Sequence, residues 1–173
     1  SGSGANYTAT YTVLAGQSGT VTFSISSYSD SSFNQGSTVT SLTSGSTVTV
    51  DNTAPELSSV AIASNNTPNT TAKIGSEITL SFTASETIQT PPTVTFQSGG
   101  NAITNSVSYA NASGNNWTAK YIVHTSDTDG LVTFSIAYSD IVGNPGSAIT
   151  STNDGSSVNV DKTVPELSNV PHK

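Results

Sequence analysis

The 173 residues combine 33% hydrophobic with only 9% charged side chains, and eleven carboxylates against four lysines give a formal charge of −7. That balance excludes the basic footprint of a nucleic-acid or anionic-membrane binder. The absence of cysteine excludes disulfides, thiolate metal sites and a cysteine nucleophile.

Along the chain, residues 6–60 recur as residues 116–170 at an offset close to 110. NYTATYTV (6–13) matches NWTAKYIV (116–123), GTVTFSI (19–25) matches GLVTFSI (130–136), and VDNTAPELSSV (50–60) matches VDKTVPELSNV (160–170). Self-similarity at a fixed period is the mark of repeated architecture, and a function that needs copies is more often mechanical or adhesive than catalytic. The chain therefore reads as the C-terminal half of one repeat (1–50), a complete repeat (51–162) and the start of a third (163–173). Three strands are expected in the first segment, too few to close a two-sheet core. The rest of that core is expected to lie outside this chain or to come from contact with another chain.

In the complete repeat, strands are predicted at 57–63, 77–84, 93–97, 106–110, 117–123, 131–138 and 156–160, with Gly, Pro and Asn turns between them. The period within them is two. Ile78, Leu80 and Phe82 share one face and Thr79, Ser81 and Thr83 the other; Val132, Phe134 and Ile136 repeat the pattern. Trp117 and Tyr121, like their counterparts Tyr7 and Tyr11, fall on the inner face, which assigns them to packing rather than to sugar binding. Tyr28 and Tyr138 stand two residues before a repeated Asp and are expected to pin a corner between strands. No segment carries a helical apolar stripe, and no apolar run approaches the roughly eighteen residues of a membrane span, so no membrane insertion is expected in this stretch.

The segments IGSEITLSFTASE (74–86), YSDIVGNPG (138–146) and VDKTVPE (160–166) resemble the tandem bacterial immunoglobulin-like repeats of long surface adhesins and biofilm proteins. The resemblance covers essentially the whole chain. It implies an all-β fold, with antiparallel immunoglobulin-like β-sandwich repeats arranged end to end. It also implies an extracellular, bacterial cell-surface location and calcium at the junctions between repeats.

The acidic residues recur at the places where such a sandwich would meet its neighbours. Asp51 enters the complete repeat, Glu86 ends its second strand and Asp140 its sixth, so the three are expected to converge at an N-terminal pole as Ca2+ ligands. Asp127, Asp129 and Asp161 form a second candidate set at the C-terminal pole. The matched loop of the first segment, Ala15-Gly16-Gln17-Ser18, lacks both acids of 127 and 129. Against this stands a plainer reading of each Asp as a turn former or solvated charge. Asn34 and Asn144 are expected to close the turns after Asp30 and Asp140, and Pro55 and Pro165 to restrict the linkers.

No nucleophile elbow, metal-type histidine pair or glycine-rich phosphate loop occurs, so an enzyme is not expected. Lys73 and Lys120 are the candidates for an isopeptide bond of the kind found in some resembling surface domains, but both read as turn or wet-face positions. The leading expectation is a structural stalk whose partners are neighbouring repeats of the same chain. The alternative is a binding module, for carbohydrate or for another chain's strand, that self-associates through unpaired strands.

Overall fold

The computed structural model describes residues 2, 3 and 6–168, and every regular element among them is a β-strand. Residues 169–173, the end of the expected third repeat, lie outside the described residues. Two compact units are distinguished, Ser1–Thr53 and Ala54–Lys173.

In the first unit the strands are two residues long: β1 (Gly2–Ser3) pairs with β2 (Asn6–Tyr7), and β3 (Gly19–Thr20) with β4 (Thr49–Val50). The β3–β4 pairing continues through Val21 N–H to the Val48 carbonyl at 2.8 Å and a mutual pair of bonds between Ile25 and Val39. Nothing in this unit is fully buried among residues 6–50. Tyr7 and Tyr11, expected on an inner face, are exposed.

The second unit begins with β5 (Leu57–Ser64), β6 (Thr71–Ala72), β7 (Glu77–Ala84), β8 (Thr93–Ser98) and β9 (Asn101–Ala102). It continues with β10 (Ser108–Ser113), β11 (Asn116–Ile122), β12 (Gly130–Ala137) and β13 (Asn159–Val160). One sheet has the order β10-β11-β7-β5 and the other β6-β13-β12-β8-β9; all pairs are antiparallel except β6 with β13. The arrangement is all-β and sandwich-like. Five of the seven predicted strands lie within a residue of their expected bounds; the one expected at 106–110 is displaced to Ser108–Ser113, and the one expected at 156–160 is reduced to Asn159–Val160. Two short strands, β6 and β9, were not predicted.

Alternation decides the faces. In β7 every second residue, Ile78, Leu80, Phe82 and Ala84, is buried, and β12 does the same with Val132, Phe134 and Ile136. These residues join Val60, Ile62, Val94, Phe96, Trp117 and Tyr121 in one core. The Phe96 and Tyr121 rings lie 4.9 Å apart, a tilted contact of the kind that adds to simple burial. Burying each such side chain stabilises the unit by about 1.5–3 kcal/mol.

The outer edge of β5 is covered by the loop that precedes β13. Asn153 Oδ1 accepts from Val60 N–H at 2.7 Å, Val60 C=O accepts from Asn153 N–H at 2.8 Å, and Ser156 Oγ accepts from Ile62 N–H at 2.9 Å. An otherwise open edge is thereby closed to pairing with another chain.

Candidate cation site and the repeated polar loops

The turn after β12 is organised by one carboxylate. Asp140, fully buried, accepts at Oδ1 from the backbone N–H groups of Val142, Gly143 and Asn144 at 2.7–2.9 Å. Its Oδ2 accepts from Asn144 Nδ2 at 2.7 Å. Burial is the strongest influence on this carboxyl and pushes its pKa up, but the Asn144 side chain and the three backbone donors together hold it below the ordinary value. Gly143 sits at φ 101°, a region that favours glycine. Gly146 leaves room for the Tyr138 ring, into which any Cβ at that position would run.

The same turn recurs in the first unit with different residues. Asp30 Oδ1 accepts from Ser32 and Asn34 N–H at 2.8 and 2.9 Å, and Oδ2 accepts from Asn34 Nδ2 at 2.8 Å. The Asn34 amide is the largest influence lowering the Asp30 pKa. Phe33 takes the place of Gly143 and holds a left-handed φ of 64°, while Gly36 makes room for the Tyr28 ring as Gly146 does for Tyr138. Both asparagines close their turns as the sequence suggests, and the carbonyls of Tyr28 and Tyr138 accept from Gly36 and Gly146 N–H at 2.8 and 3.0 Å.

Glu86 is carried next to this turn by two backbone ties. Ser85 and Glu56 bond each other, Ser85 N–H to Glu56 C=O at 2.9 Å and Glu56 N–H to Ser85 Oγ at 3.0 Å. Farther along, Gln89 N–H donates to Ser139 C=O at 2.8 Å and Ile88 bridges Asp140. Asp51, in the segment that enters the second unit, accepts from Thr53 N–H at 2.9 Å. Within the second unit, one oxygen of Glu86 and one of Asp140 lie within 4.8 Å of each other, which brings two of the three residues of the first predicted set together; Asp51, the third, belongs to the first unit. Paired carboxylate oxygens suit a hard cation such as Ca2+, which takes six to eight oxygens. Asp140 Oδ1 is already occupied by three N–H donors, so Oδ2 is the oxygen it has to offer.

The second predicted set has a different organisation. Among the described residues Asp127, Asp129 and Asp161 are not grouped within reach of one ion. Instead the Lys162 ammonium enters the loop, donating to the carbonyls of Thr125 (2.9 Å) and Asp127 and lying 3.8 Å from Asp129 Oδ1. Asp127, buried, accepts His124 N–H at 2.8 Å and Thr104 N–H at 3.3 Å. Asp129 accepts from Lys162 N–H at 3.2 Å and Thr163 Oγ1 at 3.1 Å. Asp161 accepts from Thr163 N–H at 3.0 Å, the counterpart of the Asp51–Thr53 bond. Beneath the loop, burial and then the charge of Asp127 raise the pKa of Tyr121, whose hydroxyl has no hydrogen-bond partner.

Sequence reasoning missed Lys162, although its signal was present: it is the lysine that replaces Asn52 in the repeated VDNT/VDKT motif. Lys120, considered for an isopeptide bond, pairs with Glu77 at 2.8 Å, half-exposed on the outer side of β7 and β11. No protein family matches the chain, and no curated protein or solved structure matches it significantly.

Proposed function

We propose that this chain is a non-catalytic structural segment, a stalk or spacer of a bacterial cell-surface adhesin or extracellular filament, built from immunoglobulin-like repeats and stiffened by Ca2+ where one repeat enters the next. The observation that carries the proposal is the double use of each polar cluster. The Asp-Asn turn and the pole loop occur twice with the same backbone bonds, and in both copies their polar groups close loops rather than converge on a substrate.

The strand grouping supports the immunoglobulin-like reading. With β6 and β9 set apart, the first, second, fourth and fifth strands form one sheet and the third, sixth and seventh the other, as in constant-type immunoglobulin domains. Calcium is supported by the neighbouring carboxylates of Glu86 and Asp140 in the second unit. There Ca2+ would draw the two carboxylates together and would tie the loop at 86 to the turn at 140.

Thermal unfolding in Ca2+ and in excess EDTA tests this. Ca2+ at a hundredfold excess over its dissociation constant is expected to stabilise the chain by about 2.7 kcal/mol, and Glu86→Gln to abolish the difference. Glu86 is a cleaner probe than Asp140, whose removal also strips the 140–144 turn of its acceptor. Coincident melting curves in Ca2+ and EDTA would remove the ion from the proposal and leave stiffness to the proline linkers.

A further inference from the structure

The two copies of the pole loop show what its closure requires. In the first, Leu14 N–H donates to Gln17 Oε1 at 2.7 Å and Gln17 N–H to the Leu14 carbonyl at 3.2 Å. In the second, His124 N–H donates to Asp127 Oδ2 at 2.8 Å and Asp127 N–H to the His124 carbonyl at 3.2 Å. Residue 17 or 127 and the backbone close the turn in both, whatever side chains stand at the places of 124 and 126. The first copy holds Leu14 and Gly16 there. The second holds His124 and Ser126, both exposed, with His124 Nδ1 2.7 Å from Ser126 Oγ. Turn closure accounts for Asp127 and leaves this pair unexplained.

The hydrogen bonds around the pair assign its protons. Ser126 N–H donates to His124 Nδ1 at 3.3 Å, so Nδ1 of the neutral ring is an acceptor and the ring proton is on Nε2. The Ser126 hydroxyl therefore donates to Nδ1, and in its 2.9 Å contact with Thr104 Oγ1 the threonine is the donor. The loop holds the pair in place: Asp127 accepts from His124 N–H and from Thr104 N–H at 3.3 Å, and the Lys162 ammonium donates to the carbonyls of Thr125 and Asp127, on either side of Ser126. A serine hydroxyl bonded to an unprotonated imidazole nitrogen has the arrangement of an activated nucleophile. We infer that Ser126 is an acylation site, with His124 as its base and an activated ester as the acyl donor. Ser126 Oγ attacks the ester carbonyl carbon while its proton passes to Nδ1. The bond from that carbon to the leaving oxygen breaks, and an aryl oxide departs with the electron pair, needing no proton from the protein. The imidazolium then releases its extra proton to solvent, and the product is an O-acyl serine. One acyl group per chain is a modification rather than turnover, and is compatible with a structural segment.

The test treats the full chain with p-nitrophenyl acetate and follows it by peptide mass mapping, which separates serine, lysine and histidine adducts. Acetyl is expected on Ser126 at least ~10-fold faster than on any other serine or threonine. His124→Gln can still hydrogen-bond but has no basic ring nitrogen, and is expected to bring Ser126 down to the rate of the other hydroxyls. Acetylation of the lysines, equal in the two chains, reports equal exposure to the reagent. Labelling of Ser126 no faster than that of other serines, labelling that survives in His124→Gln, or acetyl found on His124 alone would each overturn the inference. Melting temperatures of His124→Gln and Ser126→Ala are expected to match that of the unaltered chain, since Asp127 still closes the turn. A fall in both would assign the pair to turn closure and overturn the inference as well.

Discussion

The loop at 124–129 and its counterpart at 14–18 solve one problem with two chemistries. In the first unit Gln17 Oε1 accepts from Leu14 N–H at 2.7 Å and from the Tyr11 hydroxyl at 2.6 Å, while Asn52 Nδ2 donates to the Gln17 carbonyl at 2.7 Å. In the second, Asp127 Oδ2 accepts from His124 N–H at 2.8 Å and Lys162 Nζ donates to the Thr125 and Asp127 carbonyls. The amide pair Gln17 and Asn52 thus stands where the charged pair Asp127 and Lys162 stands later. The fold requires one acceptor inside the loop and one donor arriving from the outgoing segment; it does not require charge. The acids at this pole are therefore accounted for by turn closure and by Lys162. At the other pole the turn also uses Asp140, and Glu86 lies near it, one oxygen of each within 4.8 Å of the other.

The sharpest way to break the comparison is through the core. Ile136→Ala is expected to destabilise the second unit by about 2–5 kcal/mol. The matched Ile25→Ala is expected to change stability by no more than about 0.5 kcal/mol, because Ile25 is over half exposed. Urea unfolding of both variants checks this, and equal losses would mean that residues 6–50 share a core that the structure does not display.

Next in size is the loop clamp. Lys162→Met leaves the Thr125 and Asp127 carbonyls without their donor and is expected to cost about 1–3 kcal/mol. Lys162→Asn, which installs the side chain found at position 52, is expected to recover part of that loss. Denaturant midpoints of the two variants decide it, and an Asn no better than Met would show that the two loops are not interchangeable.

The third effect is a pH dependence. The folded Asp140 carboxyl has a pKa below its ordinary value of 3.8, so the unfolded chain binds more protons in this range. Its stabilisation is complete above the unfolded value and is lost as the pH falls through the folded one. Asp154, held low chiefly by its bond with Ser156, adds a contribution of the same sign. Melting temperatures measured from pH 5 downward are expected to fall less steeply in Asp140→Asn than in the unaltered chain. A parallel fall in both would assign the acid sensitivity to other carboxylates.

Much of this fold was legible in the primary structure because strand alternation and turn chemistry are local. The long strands followed from period-two patterns such as Ile78, Leu80 and Phe82, whereas most of the strand expected at 156–160 is irregular. The Tyr-Ser-Asp turn and its asparagine followed from the spacing of Asp140 and Asn144. The strands β6 and β9 were not legible, since Thr71–Ala72 and Asn101–Ala102 pair only because neighbouring strands present their edges there. Phe33 gives no local sign of its left-handed φ; that appears only beside Gly143 in the matched turn.

The sequence by itself determined the repeat, the strand faces and the residues that close each turn, because these depend on contacts a few residues away or on plain self-comparison. Tertiary structure alone decided which acids meet. Glu86 and Asp140 come together although they are far apart in the chain, and Asp127 and Asp129 receive Lys162 from beyond β13. It alone also decided that Tyr121 is buried while Tyr11 is not. Alternation says which face of a strand is apolar, but burial needs a second sheet to cover that face, and whether one is present is a property of the assembled fold rather than of the strand.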